Sequence, residues 1–430
     1  MIVARAWRGK RYAVLGLARS GLATVRALAA AGAHVVAWDS NADARAKAAA
    51  IDGVVVHDPA ELDLTGAAGL IVSPGVPLNT HPLAAQARAA GVPVIGDIEL
   101  FAEARADLPP HRVVGITGTN GKSTTTALVH HILKSAVVPT LMGGNIGLPI
   151  LGETPLAEGG VYVLELSSYQ IDLTYGLDCE VAVLLNLTPD HLDRYDGFDG
   201  YAASKARLFA MQSDAHEAVI GIGDAPSAAI ARSLSARGEH LTKIAPGVCL
   251  FQGKWPSLQG PHNAQNALAA IATCKALGIA EADIDHGLET FGGLPHRMER
   301  IAEVAGVAYV DDSKATNPES TAPALGAFER IHWIVGGRAK SDDLDVCAPY
   351  FGNVARAYTI GEAGPRFAEI LGPVMPVTDC GTLDAAVAAA AAAAQAGETV
   401  LLSPACASFD QFRDYEERGA AFRRAVEALS

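Results

Sequence analysis

No apolar run in the 430 residues reaches the roughly 18 that suggest a membrane span, so none is expected, although half of the residues are apolar. Charge is sparse at 19%, and positive charge sparser: 33 Lys and Arg stand against 47 Asp and Glu, a formal net charge of -14. That balance argues against a general nucleic-acid-binding surface, and any phosphate site has to be a local cationic pocket. The six cysteines form no C-x-x-C pair, and the N-terminus lacks a signal-peptide h-region and cleavage site, so a reducing cytoplasm is the expected setting. The alanine tract from Ala385 to Ala394 is too short to span a bilayer and reads as an internal helix packed in a core.

What is present is a recurring strand-helix alternation. At roughly 150 residues per domain the length predicts about three domains. The first hundred residues read as βαβ, with strands expected near 12–16, 34–38, 53–56, 70–73 and 92–95 around a helix at 20–31. Pro109 and Pro110 disfavour helix continuation, and a second unit starts with strands near 112–116, 161–165 and 181–186. Gly292, Gly293 and Pro295 punctuate the chain before strands near 307–311, 331–335, 357–360 and 400–403. The expectation is an α/β protein of three domains, 1–100, 101–293 and 294–430: Rossmann-like, P-loop-type mononucleotide-binding, and again Rossmann-like. The repetition is of architecture, with no short-period repeat.

The strand at 112–116 runs into Thr117-Gly118-Thr119-Asn120-Gly121-Lys122-Ser123-Thr124 and then into a helix-compatible stretch. Glycines let the backbone wrap a phosphate, the helix N-terminus presents N–H groups, Lys122 can reach the terminal phosphates and Ser123 can ligate magnesium. The strict Walker spacing is not met, since it asks for glycine at Ile116; an ordinary glycine-rich turn is the competing reading. Glu165 ends an apolar strand, where a carboxylate can serve a metal or simply cap. His191 follows another strand and, alone, reads as structural. In the first domain Gly16-Leu17-Ala18-Arg19-Ser20-Gly21 and Asp39 imitate a dinucleotide fingerprint weakened by Ala18 in its middle, which leaves NAD open.

Together, T-G-T-N-G-K-S-T, E-L-S-S-Y-Q from Glu165 and N-L-T-P-D-H-L-D-R-Y from Asn186 resemble the Mur ligases. Further matching pieces span almost the whole chain: Ser73-Pro74-Gly75, G-D-I-E-L from Gly96, G-N-I-G from Gly144, P-H-R-M-E from Pro295, D-S-K-A-T-N from Asp312 and S-P-A-C-A-S-F-D-Q-F from Ser403. The last two resemble the D-glutamate-adding branch. The resemblance implies that Gly118, Thr119, Asn120, Gly121, Lys122, Ser123 and Thr124 hold ATP phosphates, with Asn263, Asn266, Arg297 and Asp312 as further nucleotide contacts. It implies two Mg²⁺ ions served by Ser123, Glu165, His191 and a carbamylated Lys205, and places Asn145 near the acceptor carboxylate. Arg19, Ser20, Asp39, Ser40 and Ser73 would grip a uridine diphosphate. Lys314, Thr316, Lys340, Ser408 and Tyr415 would hold the incoming amino acid, Tyr415 standing where the family has phenylalanine.

Competing roles stay open at the softer positions: Lys205 and Lys340 as surface lysines, the asparagine pair and Ser408 as helix caps, Asn145 as a loop cap. Cys406 and Ser403 have no nucleophile-base arrangement and read as structural. The implied activity is ATP-dependent addition of D-glutamate to UDP-N-acetylmuramoyl-L-alanine through an acyl phosphate, by a cytoplasmic monomer. A relative using another amino acid, a folylpolyglutamate-type ligase and a non-catalytic nucleotide-binding module are the alternatives.

Overall fold

The strand Arg11–Leu15 is buried at four of its five positions because, past its first residue, it is apolar throughout. Such continuous burial marks a central parallel strand, and it lies in the middle of a five-stranded parallel sheet ordered Val54–Val56, His34–Trp38, Arg11–Leu15, Gly69–Val72, Val94–Ile95. The computed structural model describes residues 1–61, 63–78, 80–190, 194–248, 252–339 and 343–429. Strand order reverses between Arg11–Leu15 and Gly69–Val72, and such a reversal opens a crevice at the carboxyl ends of the two strands.

A second parallel sheet of six strands is ordered Leu241–Ile244, Glu217–Gly221, Val181–Leu184, His111–Thr117, Gly160–Glu165, Thr140–Gly144. Gly160–Glu165 and Val181–Leu184 are buried at every position. They flank His111–Thr117, so the three strand ends Thr117, Glu165 and Leu184 come out side by side.

The third sheet also has six strands, ordered Glu299–Val304, Val307–Asp311, Thr399–Leu402, Ile331–Gly336, Val354–Ile360, Val377–Gly381. Its first strand is antiparallel to the second, and the others run parallel. The alanine tract forms the helix Leu383–Ala393, which buries Leu383, Ala386, Val387 and Ala390 against this sheet's core.

The chain divides into two compact units, Met1–Pro246 with Leu268–Gly287, and Gly247–Ala267 with Leu288–Ser430. The first two sheets share the first unit and one apolar core. Helix Asp97–Ala104 joins them, burying Ile98, Leu100 and Phe101, with the Phe101 ring edge-on to Tyr162 at 5.0 Å. Burying each such side chain contributes about 1.5–3 kcal/mol, whereas an exposed ion pair such as Arg5–Asp107 is screened by water, so apolar packing sets this joint. Among the described residues, no helix is long and apolar enough to cross a membrane.

Candidate active site

Strand His111–Thr117 ends in a loop whose Gly118 (φ 146°) and Gly121 (φ 84°) occupy backbone conformations that side-chain-bearing residues avoid. A Cβ on Gly118 would stand 3.1 Å from Leu185 Cβ, so the loop lies against the next strand end. Asn186 braces it: its carbonyl accepts from Thr119 N–H (2.9 Å), its Oδ1 from Asn120 N–H (2.9 Å), and its Nδ2 donates to the Asn120 carbonyl (3.2 Å). Thr119 Oγ1 accepts from Thr188 N–H at 3.0 Å and sits 3.1 Å from the Tyr201 hydroxyl. Lys122 Nζ arches back over the loop, donating to the carbonyls of Gly118 (2.8 Å) and Thr119 (2.6 Å). Helix Lys122–Ser135 begins there without a side-chain cap, with Ser123 buried and Thr124 half-buried in its first turn. That is a preformed anion cradle.

Glu165 emerges beside it, paired in register with Ile116. Its carboxylate is buried; Oε1 accepts from Asn145 Nδ2 at 2.8 Å, while Oε2 is buried with no hydrogen-bond partner. Asn145 is placed by Gly144, whose φ of 88° and close approach to the Glu165 carbonyl (2.2 Å from an added Cβ) exclude any larger residue. Lys205 is 1% exposed on helix Gly197–Ala210, with Nζ donating to Thr117 Oγ1 at 3.2 Å and lying 4.9 Å from the Tyr201 ring centroid. Burial, and then the nearby Lys122, push its ammonium pKa far below the usual lysine range, against the opposing pull of Asp190, Glu165 and Asp172. An uncompensated buried ammonium costs several kcal/mol, and lysine escapes that cost by losing its proton. The surface-lysine reading of Lys205 is therefore excluded. His191 lies outside the described residues.

At the crevice of the first sheet, Ser73 Oγ donates to the Gly16 carbonyl at 2.9 Å, closing the two strand ends on each other. Asp39 accepts from the N–H groups of Leu17 (2.6 Å) and Asn41 (2.8 Å), and Arg45 donates to the carbonyls of Asp39 and Ser40. Ser20 lies in the first turn of helix Arg19–Ala30; Arg19 Nη2 donates to the Gly147 carbonyl at 3.1 Å, which ties this crevice to the loop that carries Asn145.

In the second unit, Asn263 and Asn266 are buried and bonded to each other, Asn266 Nδ2 to Asn263 Oδ1 at 3.1 Å, and Asn263 Nδ2 donates to the Gln259 carbonyl. Asp312 is buried; Oδ2 accepts from Ser403 Oγ (2.8 Å) and Oδ1 from Met298 N–H (3.2 Å), and burial lifts its pKa to about 7. Arg297 and Thr316 are half-buried on the segments flanking it. Lys314 Nζ lies 3.9 Å from the centroid of the Tyr415 ring, while Ser408 is buried. Ser408 does not cap the last helix: Asp414 does, accepting from Glu417 N–H. Lys340 lies outside the described residues.

Sequence reasoning missed Arg418. It is 1% exposed and donates to Ser313 Oγ, the Ser313 carbonyl and the Cys406 carbonyl, tying together the D-S-K-A-T-N and S-P-A-C-A-S segments. The available signal was Gly419 beside it, since a glycine inside a helix costs about 1 kcal/mol and marks a close approach.

Three family models match the chain: Mur ligase MurD-like, N-terminal domain over residues 10–96; Mur ligase middle domain over 116–246; and Mur ligase, glutamate ligase domain over 296–406. A UDP-N-acetylmuramoylalanine--D-glutamate ligase of Novosphingobium aromaticivorans is 66% identical, with 100% of this chain and 97% of that protein covered. The protein of the same name from Sphingopyxis alaskensis is 61% identical with both chains fully covered. Among solved structures, the MurF ligase of Thermotoga maritima in complex with ADP matches with a TM-score of 0.61 at 16% identity, covering 98% of this chain and 96% of that one. The UDP-N-acetylmuramate-alanine ligase MurC of the same organism gives 0.59 at 17%, covering 98% and 100%. At such identities these two likenesses speak to the fold.

Proposed function

This chain belongs to the Mur ligase family, and from that membership and its site we infer that it is an ATP-dependent ligase adding D-glutamate to UDP-N-acetylmuramoyl-L-alanine in peptidoglycan precursor synthesis. The observation that carries the chemistry is the buried, unpartnered Oε2 of Glu165 beside a preformed phosphate cradle. We assign residues 1–100 to the uridine diphosphate substrate, 101–293 to ATP and 294–430 to the amino acid, in a cytoplasmic monomer.

A carboxylate resists attack by an amine because its charge repels the nucleophile and oxide is a poor leaving group. The alanyl carboxylate therefore attacks the γ-phosphate of ATP, forming a C–O–P linkage and releasing ADP; the D-glutamate amine then attacks the acyl carbon, loses a proton, and phosphate departs. Bringing the first two anions together costs about 4 kcal/mol per unit-charge pair at 4 Å and an effective dielectric near 20. Lys122 and the N-terminal turn of helix Lys122–Ser135 offset that repulsion, so positioning and electrostatics carry the rate.

The donor set fits magnesium: a carboxylate oxygen without a partner, and the Ser123 hydroxyl in the adjacent helix turn. Ser123, Glu165, His191 and Lys205 would hold two such ions, which supply further charge neutralisation at the transferring phosphoryl group. A neutral Lys205 amine can add to carbon dioxide, forming an N–C bond and releasing a proton; the resulting carbamate offers anionic oxygens where an ammonium would repel metal. Gly16, Arg19, Ser20, Asp39, Ser40 and Ser73 shape the uridine diphosphate crevice. Asn145 orients the acceptor carboxylate near Glu165. Asn263, Asn266, Arg297 and Asp312 contact the nucleotide, and Lys314, Thr316, Lys340, Ser408 and Tyr415 hold D-glutamate.

The deciding experiment measures ADP release with UDP-N-acetylmuramoyl-L-alanine and each of D-glutamate, L-glutamate and other amino acids, with product mass. Mass gain with D-glutamate is expected; gain only with another amino acid would reassign the substrate, and ATP binding without turnover would favour a non-catalytic module.

A further inference from the structure

We propose that His296 is a positioning residue that sets Arg297 and the backbone of Lys314 together, so that one imidazole holds a nucleotide contact and an amino-acid contact in register. The proposal rests on the assignment of Arg297 and Lys314 given above.

Arg297 sits between two residues in the left-handed region, His296 at φ 62° and Met298 at φ 51°. That conformation is uncommon for residues with side chains and persists only where the surroundings over-determine it. Here they do. The His296 imidazole Nδ1 lies 2.7 Å from Oδ2 of the fully buried Asp311, whose Oδ1 accepts from Ser313 N–H at 2.9 Å. His296 N–H donates to Glu299 Oε2 at 3.0 Å, Met298 N–H to Asp312 Oδ1 at 3.2 Å, and Arg297 N–H to the Leu294 carbonyl at 3.2 Å. The His296 carbonyl accepts from Lys314 N–H at 3.0 Å, which links the turn to the D-S-K-A-T-N segment.

An independent feature of the last helix supports the same pair. A Cβ on Gly419 would stand 2.1 Å from His296 Nδ1 and 2.6 Å from Asp311 Oδ2, so helix Tyr415–Glu427 presses its bare backbone on them. Tyr415, on that helix, meets the imidazole edge-on at 6.2 Å. Polar atoms of His296, Glu299 and Asp311 lie within 4.8 Å of one another, a spacing that suits a metal. Glu299 is already engaged by Arg423 at 2.6 Å and Asp311 by the imidazole, which makes this a hydrogen-bonded brace.

The test is initial-rate kinetics on full-length variants, with thermal melting alongside. His296→Ala is expected to raise KM for both ATP and D-glutamate by about tenfold while KM for the uridine diphosphate substrate moves less than about twofold. His296→Asn, which tolerates the left-handed region and can donate to Asp311, should recover most of that loss. Gly419→Ala should reproduce the alanine pattern from the opposite element. Unchanged KM values in His296→Ala, or an Asn variant that folds yet is as impaired as the Ala variant, would overturn the proposal. If His296→Ala does not fold, the Asn and Gly419→Ala variants decide. Arg297→Ala serves as the control: an unaltered ATP KM there removes Arg297 from the nucleotide site, and the D-glutamate KM alone then tests His296.

Discussion

Asn145 donates its amide to one oxygen of the Glu165 carboxylate at 2.8 Å and leaves the other oxygen buried and without a hydrogen-bond partner. Native proteins rarely strand a buried polar atom, because doing so costs about 1–3 kcal/mol. A cation at that oxygen would resolve the cost, which is the basis of the proposed magnesium site.

Glu165→Gln keeps the shape and removes the charge, so it should lower kcat by at least about a hundredfold and shift the Mg²⁺ concentration for half-maximal rate upward. Asn145→Ala keeps the Glu165 charge while removing its hydrogen-bond donor and the proposed acceptor contact, so it should cost kcat too but leave the magnesium dependence nearer the parent's. Rates measured across a magnesium titration check both. A Gln variant with the parent's magnesium dependence would take Glu165 out of metal binding.

Lys205 is buried, and burial together with the nearby Lys122 pushes its ammonium toward the neutral amine, the form that the proposed reaction with carbon dioxide requires. Enzyme degassed and assayed without bicarbonate should lose activity, and bicarbonate should restore it. Lys205→Ala should be inactive and unresponsive to bicarbonate. Labelled carbon dioxide would report the carbamate directly as a new carbon resonance, absent in the alanine variant.

Away from the candidate site, Glu398 opens strand Thr399–Leu402 and is bonded on all sides: to Gln395 N–H (2.9 Å), His332 Nε2 (2.9 Å) and Arg330 Nε (2.6 Å). The Gln395 N–H contributes most, followed by His332 and Arg330, and together they lower its carboxyl pKa from 4.5 to about 2. With the folded pKa below the unfolded one, the stabilisation is fully present above about 4.5 and drains away as the pH falls through about 2. Glu398→Gln should lower stability at pH 7 by about 1–3 kcal/mol, because the buried His332 loses its carboxylate partner while the largely exposed Arg330 turns to water, and should flatten the acid limb. Denaturant melts between pH 2 and 7 measure both.

Most of this architecture was legible because central parallel strands write their burial into continuous apolar runs, as Val161 to Leu164 and Val181 to Leu184 do. The strands that escaped were Thr140–Gly144, Glu217–Gly221, Leu241–Ile244, Glu299–Val304 and Val377–Gly381. Four of these five lie at sheet edges, where one side faces solvent and glycine or charge replaces the apolar run. That the 117–124 loop follows a strand, and that Glu165 ends the neighbouring one, was readable because both are local in sequence. His296 and Arg418 were not, since their roles come from partners far along the chain, Asp311 for one and Ser313 and Cys406 for the other. Lys205 became distinguishable from a surface lysine only through burial.

Tyr415 stands where the family resemblance expects phenylalanine, and the geometry states what the added hydroxyl does. It donates to Glu416 Oε1 at 3.1 Å, an exposed neighbour, while the ring face carries the Lys314 ammonium at 3.9 Å. A cation held over an aromatic face gains about 0.5–2 kcal/mol, a factor of roughly 2–30 in binding, whereas an exposed hydroxyl-carboxylate contact competes with water and gains little. On the proposed assignment, then, the ring is the part that matters to the amino acid. Tyr415→Phe should keep KM for D-glutamate within about twofold, and Tyr415→Leu should raise it by roughly 2–30-fold as Lys314 loses its seat. Initial rates at varied D-glutamate distinguish the two. A phenylalanine variant as impaired as the leucine variant would mean that the hydroxyl itself meets the substrate.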